Sequence, residues 1–311
     1  NKEGEEAHKA YGPSVFMLGL EGDLVTYQLT ADDDGDGSVQ LSPPGGVYPA
    51  GATVTLTPVA GPGHAFGHWS GPDADDIVLS GGVYTIVMDG DKAVTANFEV
   101  PLCTDVSLVA SADTWLRSSY PDRSYGGSAE LQVGTSSARP QNSLLRWDLN
   151  SIPPEATITT ASLTFHVTEP TPNAFRLYDM RRSWVEGDSD DATSTTSANW
   201  ATYDGVSAWG AEGAESPNED RYDTNLWDAV ASTFNASGSQ TIGLNASGVA
   251  VVQGWVDGAL DNHGLTVQRE TGTSSSNYWK VASREAADDT LRPRLNVSYC
   301  LPATDPTITT S

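Results

Sequence analysis

Carboxylates dominate the chemistry this chain of 311 residues can offer, with 41 Asp plus Glu against 16 Lys plus Arg. Two such acids could hydrolyse a glycosidic bond, but the requirement is a separation in space that counting cannot supply. Asp188, Asp190 and Asp191 stand in a Ser- and Thr-rich stretch and read as solvated surface. The run Asp32, Asp34, Asp36, Gly37 reproduces the first half of an EF-hand loop, yet the twelfth position is Pro43 and the bidentate acid is missing. A hairpin turn is the plain reading of that run, with a weak structural calcium site as the alternative. His64 and His68, four apart, would share a face of a straight strand, but they flank Phe66 and Trp69, which read as core positions. With five His in the chain, a zinc site or a catalytic triad has little material. No G-x-S-x-G elbow, Walker loop or H-E-x-x-H helix occurs. The expectation is therefore a protein that is not an enzyme.

The net charge of −25 repels the phosphates that a nucleic-acid binder must attract, so nucleic acid is a poor partner. All the arginines lie between Arg117 and Arg294, and any anion-binding face belongs to that half. No apolar run reaches the roughly 20 residues of a membrane span, so membrane insertion is not expected. The chain begins at Asn1 without a signal peptide, as a processed secreted chain would, and an extracellular or cell-surface location is expected. Cys103 and Cys300 stand at the two ends of the second half as if stapling its first strand to its last; unpaired thiols in a reducing cell are the alternative.

The elements that must position these groups are short strands. From Leu24 to Val100 the pattern runs VTYQLT, DDDGDG, SVQLSP, GGVYPAG, ATVTLTPVA, GPGHAFGHWSG and GGVYTIVMDGDKAVTANFEV. Its Asp-Gly and Gly-Gly pairs accept the positive φ of tight turns. The order of these elements, with WSG at Trp69–Gly71 and TANF at Thr95–Phe98, resembles the divergent internalin-type B repeat of bacterial surface proteins, a small β-rich module common in stalks. After Pro101, strands are expected near 106–110, 114–117, 130–133, 143–148, 159–168, 175–180, 240–244, 264–268, 279–283 and 294–299. A helix is expected at Gly248–Val256, where Val249, Val252 and Val256 share a face and Ser247 can cap. The fold class is all-β: a small β-rich repeat domain (24–100) followed by a jelly-roll-like β-sandwich (101–300), flanked by an N-terminal segment (1–23) and a C-terminal tail (301–311).

The second domain resembles the DNRLRE domain, also classed as carbohydrate-binding module family 96. The stretches ADTWLRSSYPDRSYGGSAELQVG from Ala112, SLLRWDLNSIPPEATITTASLTFHV from Ser143, RSWVEGD from Arg182, VVQGWVDG from Val251, NHGLTVQ from Asn262 and VASREAADDTLRPRLNVSY from Val281 carry the likeness. It implies a β-sandwich attached to polysaccharide-active enzymes or surface assemblies, with binding to uronate-rich polysaccharide for some members. That chemistry needs aromatic faces for sugar rings and guanidinium or ammonium groups for carboxylates. Candidates are Trp115, Arg117, Tyr120, Arg123 and Tyr125 in the first motif, Arg181 and Arg182 in the third, and Trp279, Lys280 and Arg284 in the last. Trp147, Trp184 and Trp255 fall inside apolar patterns and read as core, and Arg284 beside Glu285 also reads as a structural ion pair. Asn235, Asn245 and Asn296 each open an N-x-Ser sequon.

Two functions follow as expectations. The first is a filament or matrix subunit: the apolar segment Ser14–Leu20 would donate Val15, Phe16, Met17, Leu18 and Leu20 to an open sheet edge of another copy, or pair within its own chain. Its partners would be copies of itself or other surface proteins. The second is a carbohydrate-binding protein for acidic polysaccharide, with the first domain as stalk.

Overall fold

A computed structural model describes residues 25–136, 139–227, 234–270 and 277–302. The candidate donor residues Val15, Phe16, Met17, Leu18 and Leu20 lie outside them. The chain divides between Glu99 and Val100 into two compact units.

The first unit holds β1 (Thr26–Asp33), β2 (Gly37–Ser42), β3 (Val47–Pro49), β4 (Thr53–Ala60), β5 (Ala65–Ser70), β6 (Val78–Ser80), β7 (Val83–Val87) and β8 (Lys92–Glu99). They form two four-stranded sheets, ordered β3-β1-β8-β5 and β2-β4-β7-β6. Alternation along β8 turns Val94, Ala96 and Phe98 inward, and both sheets contribute to a core of Leu29, Tyr48, Val54, Leu56, Ile86, Met88 and Val94. Beside it Phe66 meets Trp69 at 5.2 Å and Phe98 at 5.9 Å, so the aromatic residues of the repeat pattern are packing residues. In the β1–β2 turn, Asp34 accepts the N–H groups of Phe98 at 2.7 Å and Asp36 at 3.2 Å, one on each oxygen. The Phe98 N–H is the main reason its carboxyl sits below the ordinary value. The middle acid of the Asp32, Asp34, Asp36 run thus serves the hairpin.

The second unit holds β9 (Leu102–Arg117), β10 (Arg123–Ser124), β11 (Glu130–Ser136), β12 (Arg139–Trp147), β13 (Thr157–Glu169), β14 (Phe175–Asp179), β15 (Ala192–Thr193), β16 (Gly238–Gly243), α1 (Ala246–Val256), β17 (Leu265–Arg269), β18 (Asn277–Ala282) and β19 (Arg294–Leu301). The two strands expected at 106–110 and 114–117 are one. β9 pairs with β19 through Val109 and with β12 from Ala110 onward, and so passes from one layer of the sandwich to the other. The hydrogen-bonded path β11-β18-β13-β19-β9-β12-β17-β14 also returns from β12 to β11, which covers the free edge of β11 and leaves β14 at an edge. The helix starts two residues earlier than expected, and its cap is Asn245, whose side chain accepts Gly248 N–H; Ser247 lies inside the helix.

Two apolar clusters fill this unit. The main one lies within the sandwich and includes Trp147, Leu163, Phe165, Leu177, Trp279 and Leu295. The other lies on the outer face of β9 and β12, where Ala112, Leu116 and Leu144 meet Trp184, Trp200 and Trp209 from the segment 180–227. Ala112 to Leu116 and Gln141 to Leu145 are consequently buried at every residue, as strands covered on both faces must be. A connection of that length with little regular structure persists because it carries its own core.

Cys103 and Cys300 are disulfide-bonded across facing positions of β9 and β19, closing a sequence separation of 197 residues. The Cys103→Ala/Cys300→Ala double variant should keep the fold and lose stability by at most about 5 kcal/mol, the chain-entropy value for such a loop, measured by urea denaturation.

Candidate functional site

The basic and aromatic residues singled out in the sequence separate into three groups. Trp115, Tyr125 and Trp279 are core residues. The Trp115 ring lies 4.0 Å from that of Tyr125, and Trp279 stacks on Phe234 at 4.6 Å. With exposures of 3 %, 2 % and 0 %, none has a face open to a sugar ring, and all three are corrected from ligand shelves to packing residues. Trp147, Trp184 and Trp255 are buried, in keeping with their apolar patterns.

The second group is held by structural partners. Arg181 lies over Tyr222 at 4.5 Å, and Arg182 lies over Tyr203 at 4.6 Å with its Nε 3.3 Å from Asp220. Asp220 is fully buried, and its carboxylate accepts the N–H groups of Gly210, Ala211 and Ser216 at 2.8, 3.0 and 3.2 Å. Arg182 therefore compensates the acid that staples the covering segment, since a buried carboxylate needs a partner. Lys280 stands 3.3 Å from Glu169 and 3.6 Å from Glu130, and Arg284 stands 2.6 Å from Glu186 and 3.0 Å from Glu285.

The third group does meet at the surface. The guanidinium carbons of Arg117 and Arg123 lie 4.7 and 4.5 Å from the Tyr120 ring, which is 41 % exposed. Arg123 also pairs at 3.0 Å with Asp191, whose Oδ1 accepts the Tyr125 hydroxyl at 2.7 Å. That hydroxyl, with Arg123, holds the Asp191 carboxyl below its ordinary value, and burial pushes the Tyr125 phenol up to about 12.

A second polar surface escaped the sequence reading. At the β14 edge a cleft of about 470 Å³ is lined by Arg176, Tyr178, Arg221 and Arg269 together with Glu215, Asp223 and Glu270. Alternation along β14 buries Phe175, Leu177 and Asp179 and turns Arg176 and Tyr178 outward. The Arg221 guanidinium sits 3.8 Å from the Tyr178 ring and 2.9 Å from Asp223, while Arg176 pairs with Glu270. Two buried amides fix the cleft floor: Asn142 donates to Gly213 O at 2.9 Å and to Glu215 at 3.1 Å, and Gln268 donates to Ala214 O at 2.9 Å. They hold Ala214 at φ 61°, a left-handed conformation unfavourable for a residue with a Cβ. Arg269 makes no ion pair among the described residues. The Arg-x-Tyr alternation of β14 was readable, but Arg221 and Arg269 arrive from segments remote in sequence.

The sequons differ in their surroundings. Asn235 is exposed. Asn245 Nδ2, by contrast, donates to Asn225 O at 3.0 Å, and Asn296 Nδ2 donates to Thr164 Oγ1 at 2.9 Å, so a glycan on either would break a bond of the fold.

Residues 104–208 match the model of carbohydrate-binding module family 96, and residues 27–101 match that of the divergent InlB B-repeat domain. Both families are non-catalytic. No curated protein matches the chain. The first match contains the Arg117–Tyr120–Arg123 group and the β14 side of the cleft.

Two outcomes check these placements. Trp279→Ala should cost about 3–5 kcal/mol of stability, as loss of a buried ring does, and Tyr120→Ala less than about 1 kcal/mol, both read by chemical denaturation. Burial pushes the Asp179 carboxyl up to about 7. The native state thus keeps a proton that the unfolded chain releases near pH 4, so stability falls as pH rises from about 4 to about 7 and then levels. Asp179→Asn should flatten that part of the profile and gain on the parent protein at about pH 8, measured by urea denaturation across pH.

Proposed function

We propose that the second domain is a non-catalytic module that holds an acidic polysaccharide at the surface of a cell or in an extracellular matrix, with the arginine-lined cleft as the contact for a sugar carboxylate. The observation that carries this reading is Arg269, a guanidinium without an ion pair among the described residues, in a polar cleft beside Tyr178. A carboxylate there would gain a charge-assisted, bidentate pair, and the Arg221-backed Tyr178 would border the sugar ring. The match to a carbohydrate-binding module supports the substrate class. The net charge of −25 repels a polyanion at long range, so the grip relies on these short contacts. The Cys103–Cys300 disulfide fits an oxidising compartment, and no helix among the described residues is long and apolar enough to cross a membrane.

Affinity electrophoresis in gels of polyuronate and of neutral glucan tests the reading. The parent chain should be retarded by the polyuronate, and Arg269→Ala should weaken binding roughly ten- to a hundredfold, the worth of one charge-assisted hydrogen bond. Arg117→Ala asks whether the Tyr120 surface shares the load. Equal mobility in both gels would remove the acidic-sugar reading.

A second reading, assembly by strand donation, has its own support in the first domain. The edge strand β6 exposes Val78 at 58 % and Leu79 at 57 %, beside exposed Val83 and Val87 of β7. An apolar strand edge is a template for pairing, and the segment Val15–Leu20 is apolar on both faces, as a strand that gains cover by pairing would be. Deletion of residues 1–22, or Leu79→Lys at the edge, should each abolish fibres seen by negative-stain microscopy; fibres that survive both would end this reading.

A further inference from the structure

Asp113, Glu186 and Glu285 come from three separate segments: β9, the covering segment after β14, and the connection between β18 and β19. One carboxylate oxygen of each lies within 4.8 Å of the others. The cluster is not a solvated acidic face. Asp113 is 1 % exposed, and its Oδ1 is buried without a hydrogen-bond partner, as is Oε2 of Glu285. Other oxygens of the cluster are already engaged. Asp113 Oδ2 accepts Arg284 N–H at 2.7 Å, and Glu186 Oε1 accepts both the Asp113 N–H at 2.5 Å and Arg284 Nε at 2.6 Å. Those bonds aim the carboxylates but do not neutralise them. Fully ionised, as cation ligands must be, the three carboxylates beside the one Arg284 guanidinium carry two negative charges in excess, the complement of one divalent cation.

We propose that Asp113, Glu186 and Glu285 form a calcium site that ties β9, the covering segment and the β18–β19 connection together. The donor set is all oxygen, which selects a hard cation over zinc or copper. Two Ca–O bonds of about 2.3–2.6 Å reach across up to about 5.2 Å, so oxygens within 4.8 Å of one another can all bind one calcium ion. Its flexible shell accepts carboxylates from three segments without the near-ideal octahedron that Mg²⁺ demands. The buried, unpartnered Asp113 Oδ1 is the atom that needs the ion, because an uncompensated oxygen at such depth costs stability. Arg284 acts from outside by orienting Glu186. The ion would also steady the Tyr120 surface, because the stretch that follows Glu186 is tied to it: Ser189 O accepts Gly127 N–H at 2.8 Å, and Asp191 holds Arg123. The site stands whether or not the carbohydrate reading does.

The full chain, stripped with a chelator and desalted, is titrated with CaCl₂ by calorimetry and melted with and without about 2 mM Ca²⁺, near the range in which extracellular modules bind it. One equivalent should bind and Tm should rise by roughly 3–6 °C. Asp113→Asn should abolish both effects while Asp36→Asn, in the β1–β2 turn, keeps them. Glu285→Gln provides the same test should the Asp113 variant fail to fold. No heat and no shift in the parent chain, or binding that survives Asp113→Asn or Glu285→Gln and vanishes in Asp36→Asn, would overturn the proposal.

Discussion

The outer face of β9, β12 and β17 has to be covered. Leu116 and Leu144 point away from the interior of the sandwich, and the stretches Ala112 to Leu116 and Gln141 to Leu145 are buried at every residue, so a bare sheet here would leave apolar side chains in water. The segment 180–227 supplies the cover with Trp184, Trp200 and Trp209, and it is held in place less by regular structure than by individual polar anchors. Asp220 is the strongest of these, a fully buried carboxylate satisfied by three backbone N–H groups and faced by Arg182. Much of what else is of interest in the second domain sits at the margin of this cover.

At one margin the cover meets β14 and β17 and leaves the arginine-lined cleft; at another it meets β9 and β10, where Glu186 joins Asp113 and Asp191 joins Arg123. The cleft exists because Asn142 and Gln268, both buried, hold a turn around Ala214 that the backbone would not choose alone. This is the arrangement expected of a binding surface, with rigid strands below and an irregular segment above that determines which side chains face outward.

Counted as a whole, the chain is strongly acidic, yet its bases are not scattered counter-charges. Arg182, Lys280 and Arg284 are spent on Asp220, Glu169 and Glu186, and these pairs hold segments together. Arg269 lines the cleft without an ion pair among the described residues, and the guanidinium groups of Arg117 and Arg123 lie over the exposed Tyr120 ring. Residue type alone does not distinguish the two uses, because an Arg beside an acid in sequence, such as Arg284 and Glu285, takes its closest partner from 98 residues away.

The sequence by itself determined the all-β class, the turns of the first domain, most strand positions of the second and the pairing of Cys103 with Cys300. These follow from local rules: side chains alternate with period two, Gly and Asp mark positive φ, and the two cysteines bracket the domain. It also placed Trp147, Trp184 and Trp255 in the core, since each lay within an apolar pattern. Only the tertiary structure decided that Trp115, Tyr125 and Trp279 are buried and Tyr120 is not, and that β9 is a single strand shared by two layers. The same holds for the convergence of Arg221 with Arg269 and of Asp113 with Glu186 and Glu285. The physical reason is that period-two patterning says which residues share a face, whereas what lies against that face depends on contacts between segments scores of residues apart, and those have no local signature.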